Sequence, residues 1–256
     1  MAYSVYELMF YFYIYAFLGW ISEVAFAAFR KGKFVNRGFL LGPVCPIYGF
    51  GVVFVLCLLK PFFKFPLLVY VLSVIITSDL EFAVGFVSEK MFHQKLWDYS
   101  NCFMNIKGYI CLTFSLLWGV GCMAIVYVVQ PLIAALVGIL PLWLGILLLA
   151  VFTVTVIFDT SVTLEASLKI DKRMTAIDEA AQKLEKLSDK IGGGVSEGTV
   201  YIKEKAEDSD KLKEQYEALI NKKNIVHDHM FNAFSNLKTG KYKNAYERLK
   251  TARSKK

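Results

Sequence analysis

Four acidic side chains sit inside apolar stretches of this 256-residue chain: Glu23, Asp79, Glu81 and Asp159. An ionised carboxylate in hydrocarbon costs about 2.5 to 3.5 kcal/mol near mid-membrane on insertion scales, so each needs a partner, a proton or a wet cavity. Glu23 and Glu81 each lie about two helical turns from the same end of their stretches, and Asp159 lies near the corresponding end of its own. The three therefore share one depth. Asp79 is two residues from Glu81, about 200° round a helix, so it must find a different partner or stay protonated. Arg37 is the basic group best placed to fold inward beside the three acids. Gly38, Gly42, Pro43, Pro46 and Gly49 break the helix around it, and non-helical backbone at membrane depth is tolerated only when buried in protein or lining a wet cavity. Glu23, Asn36, Arg37, Tyr48, Glu81 and Asp159 are thus expected to line a polar cavity. The alternative is an ordinary loop whose Arg37 meets lipid phosphates.

A second polar stretch, residues 90–109, mixes Phe92, Trp97, Tyr99 and Phe103 with His93, Asp98, Asn101 and Asn105. It reads either as an interfacial aromatic belt or as a cap on the cavity, with Asp98, Asn101 and Asn105 holding a polar solute or ion. No Ser-His or Cys-His constellation is present for hydrolysis by a protein nucleophile. No metal or cofactor is expected. His227 and His229 flank Asp228, but two residues apart they point about 200° away from one another on a helix. The five cysteines all fall before residue 123, are odd in number and form no Cys-x-x-Cys pair, which fits reduced, buried thiols.

The elements that must position these groups follow from hydropathy. The chain is 56% hydrophobic, too apolar for an ordinary soluble domain. About 20 mostly apolar residues cross a bilayer. Residues 8–29, 38–59 and 65–88 supply three such stretches. Between Lys107 and Asp159 lie 51 uncharged residues, enough for two more, with Gln130-Pro131 and Pro141 marking their connection. The count is five, or six if residues 131–143 form a re-entrant hairpin. The amino-terminal stretch lacks the basic start and short apolar core of a cleavable signal.

The fold expected is an all-α transmembrane bundle over residues 1–167, followed by a helical tail over 168–256. Lys and Arg crowd the loops after the first and third stretches, and the tail, which places these in the cytoplasm and the N-terminus outside. Small and polar residues recur three or four apart along each stretch, as at Gly108, Cys111, Ser115, Gly119 and Cys122, and read as packing seams. In the tail, Ile170, Met174, Ile177, Ala181, Leu184, Leu187 and Ile191 repeat at coiled-coil spacing. Gly192-Gly193-Gly194 ends that run, and further apolar positions follow at Ala206, Leu212, Tyr216, Leu219, Ile225, Phe231, Phe234 and Leu237, then, beyond Gly240, at Tyr242, Tyr246 and Leu249. This describes a helical hairpin or small bundle, open to a homo-oligomer or a partner helix. The last 20 residues hold eight Lys or Arg and one Glu, suited to anionic lipid; no nucleic-acid role is expected.

The strings FLGWISEV (17–24), FVNRGFLLGPVCPIYGFG (34–51), LEF (80–82), LWDYSN (96–101) and NIKGYICL (105–112) resemble the CmpB-like, type IV group of bacterial ABC-transporter permeases over most of residues 8–165. The resemblance implies a permease of the bacterial inner membrane working with a separate ATPase. This chain carries no Gly-x-x-x-x-Gly-Lys-Ser/Thr loop of its own. Three functions compete: a permease for a small polar or ionic solute, a membrane enzyme acting on a lipid or polyprenyl headgroup, and an adaptor recruiting partners through its tail.

Overall fold

The computed structural model of the protein describes residues 3–92, 95–193, 199–222, 224–234 and 242–254, with the side chains of Lys31 and of residues 187–208 and 253–254 outside that description. His93, Gly194, Leu237 and Gly240, named above, lie outside the described residues, as do the side chains of Leu187, Ile191 and Ala206.

Helix α1 (Val5–Lys31) opens on a reciprocal cap, in which Glu7 N donates to Ser4 Oγ at 3.2 Å and Ser4 N donates to Glu7 Oε2 at 2.7 Å. It ends where Gly32 adopts the left-handed conformation, φ 65°. Helix α2 (Pro46–Leu59) starts on a proline, whose missing N–H costs nothing at a first turn. Residues 38–45, expected to begin this span, are non-helical. A 3₁₀ turn (Lys60–Phe62) leads to α3 (Pro66–Phe92). A small hairpin, β1 (Asn105–Ile106) with β2 (Ile110–Cys111), precedes α4 (Leu112–Ala124). Gly108 therefore lies in the hairpin turn, at φ 73°, and not on the α4 seam.

Helix α4 runs through a wide π turn at Ile125–Val129 into α5 (Gln130–Ile139). The wider turn accommodates Pro131, which cannot donate to the ladder. Of the two expected markers of the connection, Gln130-Pro131 is helical and Pro141 falls at the break: residues 131–139 form no re-entrant hairpin, and Leu140 and Pro141 alone separate α5 from α6 (Leu142–Gly193), which is 52 residues long. Helices α7 (Thr199–Asn221), α8 (Ile225–Ala233) and α9 (Lys243–Ser254) complete the described chain. The residue boundary expected at 167/168 falls within α6.

Among the described residues four helical stretches are long and apolar enough to cross a membrane: Val5–Arg30, Pro66–Phe92, Leu112–Ile139 and Leu142–Lys186. Pro46–Phe62 is a shorter apolar fifth. Glycine lets α1 and α2 meet closely: a Cβ at Gly49 would stand 2.6 Å from the Phe12 carbonyl oxygen, and one at Gly19 would strike the Tyr48 ring. Tyr11, Tyr15, Val52, Val55, Leu56, Val69, Val126 and Ile133 form the bundle core. A second core joins Ile170, Met174 and Ile177 of α6 to Ile220, Met230, Phe231, Tyr242 and Leu249, and it includes Phe92 and Leu96 with Phe39 and Leu41 packed against it. The tail helices thus dock onto one end of the bundle.

Candidate functional site

The site is built at that end, around the irregular segment 32–45. Asn36 organises it. Its Oδ1 accepts from Trp20 Nε1 at 2.7 Å and from Gly38 N at 3.2 Å, while its Nδ2 donates to Leu41 O at 2.8 Å. These bonds fix a turn that no regular ladder holds, and Cys45 N donating to Ala16 O at 3.0 Å ties its far end to α1. His229 of α8 caps the turn, with its Nε2 2.9 Å from Gly38 O. His227 points elsewhere, its Nε2 2.9 Å from Ala166 O.

The turn brings Arg37 to Glu23, with Nη1 3.4 Å from Oε2 and the guanidinium over the Phe26 ring. Tyr48 of α2 donates to the other Glu23 oxygen at 2.6 Å. Both charged side chains are about a quarter exposed, at 27% and 26%, so this pair is lined by protein yet reachable from outside. Glu81 is 7% exposed. Its Oε1 accepts from the Tyr99 hydroxyl at 3.0 Å, and its Oε2 is buried without a hydrogen bond of good geometry, although the Trp118 indole adjoins the carboxyl. Tyr99 is held in place by stacking on Phe114, centroids 4.8 Å apart. Burial pushes the Tyr99 phenol up, and the carboxylates of Glu81 and then Glu23 add to it. The two acids therefore act on one and the same hydroxyl. Tyr48 of α2 packs edge-on to Trp118 of α4, centroids 5.5 Å apart.

Asp159 does not share Arg37. It accepts from Leu41 N at 3.1 Å and Gly42 N at 2.7 Å, and Thr163 Oγ1 donates to it at 3.0 Å. The broken backbone presents the Leu41 and Gly42 amides to a carboxylate of α6. Asp98 holds its own loop, accepting from Ser100 N at 3.0 Å and Ser100 Oγ at 2.5 Å with Lys95 Nζ 3.7 Å away. The Ser100 hydroxyl is the main reason its carboxyl titrates below the ordinary range. Asn105 donates to Ser100 O and Cys102 O and accepts from Gly108 N, so it shapes the hairpin. Asn101 is exposed.

Of the residues expected at the cavity, Glu23, Arg37, Tyr48 and Glu81 are thus brought into one neighbourhood, Asn36 and Asp159 frame the turn, and Asp98, Asn101 and Asn105 belong to the adjoining loop. Tyr99, Trp118, Trp20 and His229 were not among the expected site residues. Tyr99 lies within the LWDYSN string, which was a usable signal; Trp118 sits in a uniformly apolar stretch and gave none.

Apolar helices gathered around a polar, partly buried cluster at one end define a multi-pass α-helical membrane protein. The model of the family described as "Putative ABC-transporter type IV" matches residues 10–164, and the chain belongs to that family of ABC-transporter-type membrane proteins. The matched region contains every site residue named from the sequence. No curated protein and no solved structure matches the chain.

Proposed function

We propose that this chain is the membrane-spanning component of a transporter that handles a small polar or ionic solute at the Glu23–Arg37–Tyr48–Glu81–Tyr99 cluster. The observation that carries the reading is the convergence of carboxylates from α1 and α3 with a guanidinium from a non-helical segment. Transporter sites are commonly made where helices are broken and backbone lines a cavity. The excess of Lys and Arg in the loops at this end supports the reading that it faces the cytoplasm of a bacterial inner membrane, with the N-terminus outside. Alternating access then opens the cluster to either face. A separate ATPase is the partner this family membership implies, and the basic α9 suits anionic lipid. Arg37 is already engaged by Glu23, which counts against the competing reading in which it holds the phosphate of a lipid headgroup.

Untargeted metabolite and lipid profiling of cells lacking the protein, complemented by wild type, Glu81→Gln or Arg37→Gln, tests this. The expected result is a changed level of one polar solute that wild type restores and neither variant does, both variants being present in the membrane at normal amounts. An altered lipid-headgroup profile instead, or full complementation by both variants, would overturn it.

A further inference from the structure

Asp79 is the thirteenth residue beyond Pro66 and lies thirteen short of Phe92, at the centre of the third spanning helix. That helix turns Val69, Ser73, Glu81, Gly85 and Ser88 inward. Asp79 lies on the opposite side and is exposed, in a row with Val71, Ile75 and Phe86, themselves 46%, 50% and 45% exposed. It has no hydrogen bond or ion pair with any described residue, and Ala83, one turn on, is also exposed. Ionisable side chains inside spanning helices face a bundle interior or a wet cavity and pair there. Here the acid faces outward, so the interior that would receive it is absent from this chain.

We infer that the Val71–Ile75–Asp79–Ala83 face of α3 is the docking surface for a separate membrane-embedded subunit that presents a Lys or Arg at mid-membrane depth. Charge complementarity selects this occupant. A second copy of the chain supplies no cation at that level, because the basic residues of residues 1–168 are Arg30, Lys31, Lys33, Arg37, Lys60, Lys64, Lys90, Lys95 and Lys107, all at or beyond helix ends. Lipid tails supply no hydrogen-bond donor. The small side chain of Ala83 allows a second helix to approach closely beside the acid.

The test is photocrosslinking of the full-length protein in its native membrane, with a photoreactive amino acid at position 83, in wild-type, Asp79→Asn and Asp79→Lys backgrounds. The expected adduct is a different membrane protein, joined through a span that contains Lys or Arg. Adduct yield should fall at least about tenfold in both variants, as for a buried ion pair that has lost one member. It should recover when Asp79→Lys is combined with an acidic residue at the partner's basic position. Because Asp79 faces outward, melting of the purified variants in detergent should match wild type, which separates lost docking from lost folding. An adduct of two copies of this chain, adducts with lipid alone, or a protein adduct whose yield is unchanged in Asp79→Asn would each overturn the inference.

Discussion

Arg37 and Glu23 face one another at 3.4 Å with about a quarter of each side chain still open, a geometry between the surface pair that contributes almost nothing and the buried pair that fails badly when halved. A double-mutant cycle should measure it. Arg37→Gln and Glu23→Gln are each expected to lower the melting temperature in detergent, and the double variant should lose less than their sum, by about 1 kcal/mol after allowing for solvent screening. Strict additivity would mean that the two do not interact. Tyr99→Phe removes only the hydroxyl that serves Glu81 and should destabilise by about 1 to 3 kcal/mol, since it leaves a buried acceptor unserved; a variant that melts with wild type would contradict the contact. The acids and Arg37 were legible in the sequence because charge in hydrocarbon is costly and therefore conspicuous. The partner of Asp159 was not. Two backbone amides hold it, and an amide is present at every residue except proline, so no letter in the sequence advertises it.

At the scale of elements, the close approach of α1 and α2 depends on hydrogen where other residues carry a methyl group. Gly49→Ala would push a Cβ against the Phe12 carbonyl oxygen, whereas at Gly121 a Cβ meets nothing within 4 Å. Gly49→Ala is expected to lower the melting temperature or the folded yield markedly, by about 1 to 3 kcal/mol for overpacking. Gly121→Ala should be neutral or stabilising by up to about 1 kcal/mol from helix propensity. Similar behaviour of the two in a detergent melt would argue against the helix contact. Hydropathy located the spans, because length and apolarity are what a bilayer demands. It drew the last connection too long: Pro141 does mark the break, but Pro131, which also reads as one, is absorbed beside a π turn, with the buried Gln130 side chain accepting from the Tyr15 hydroxyl at 2.8 Å. The glycines and prolines expected to break the entry to α2 do so: residues 38–45 are non-helical and form the turn that Asn36 holds.

In the whole molecule the tail is bound to the bundle through a shared core and through the His229–Gly38 contact. Periodicity identified part of the apolar face of the tail, but Ile225, expected on it, is 78% exposed while Val226 and Met230 are buried; what that face covers was not legible, because Phe39, Phe92 and Leu96 are indistinguishable by type from residues facing lipid. Burial holds the His227 imidazole below its ordinary value of 6.5, with the Arg173 guanidinium adding to the effect and the Ala166 carbonyl opposing it. The unfolded chain therefore binds a proton that the folded tail refuses as pH drops below about 6.5, and tail stability should decline there and be fully retained above it. Thermal melts from pH 7.5 to 5.5 should show a decline that is shallower in His227→Gln; an identical slope in the two proteins would exclude His227 as a source. Finally, α6 passes unbroken from Leu142 to Gly193, about 78 Å at the standard rise, and carries on one shaft both Asp159, which grips the Leu41–Gly42 amides, and Met174 and Ile177, which anchor the tail. A rod without a swivel converts any tilt imposed on its outer arm into displacement at its inner one. Load applied to α7–α9 would thus be felt at the Leu41–Gly42 backbone as leverage, without passing through the remaining helices of the bundle.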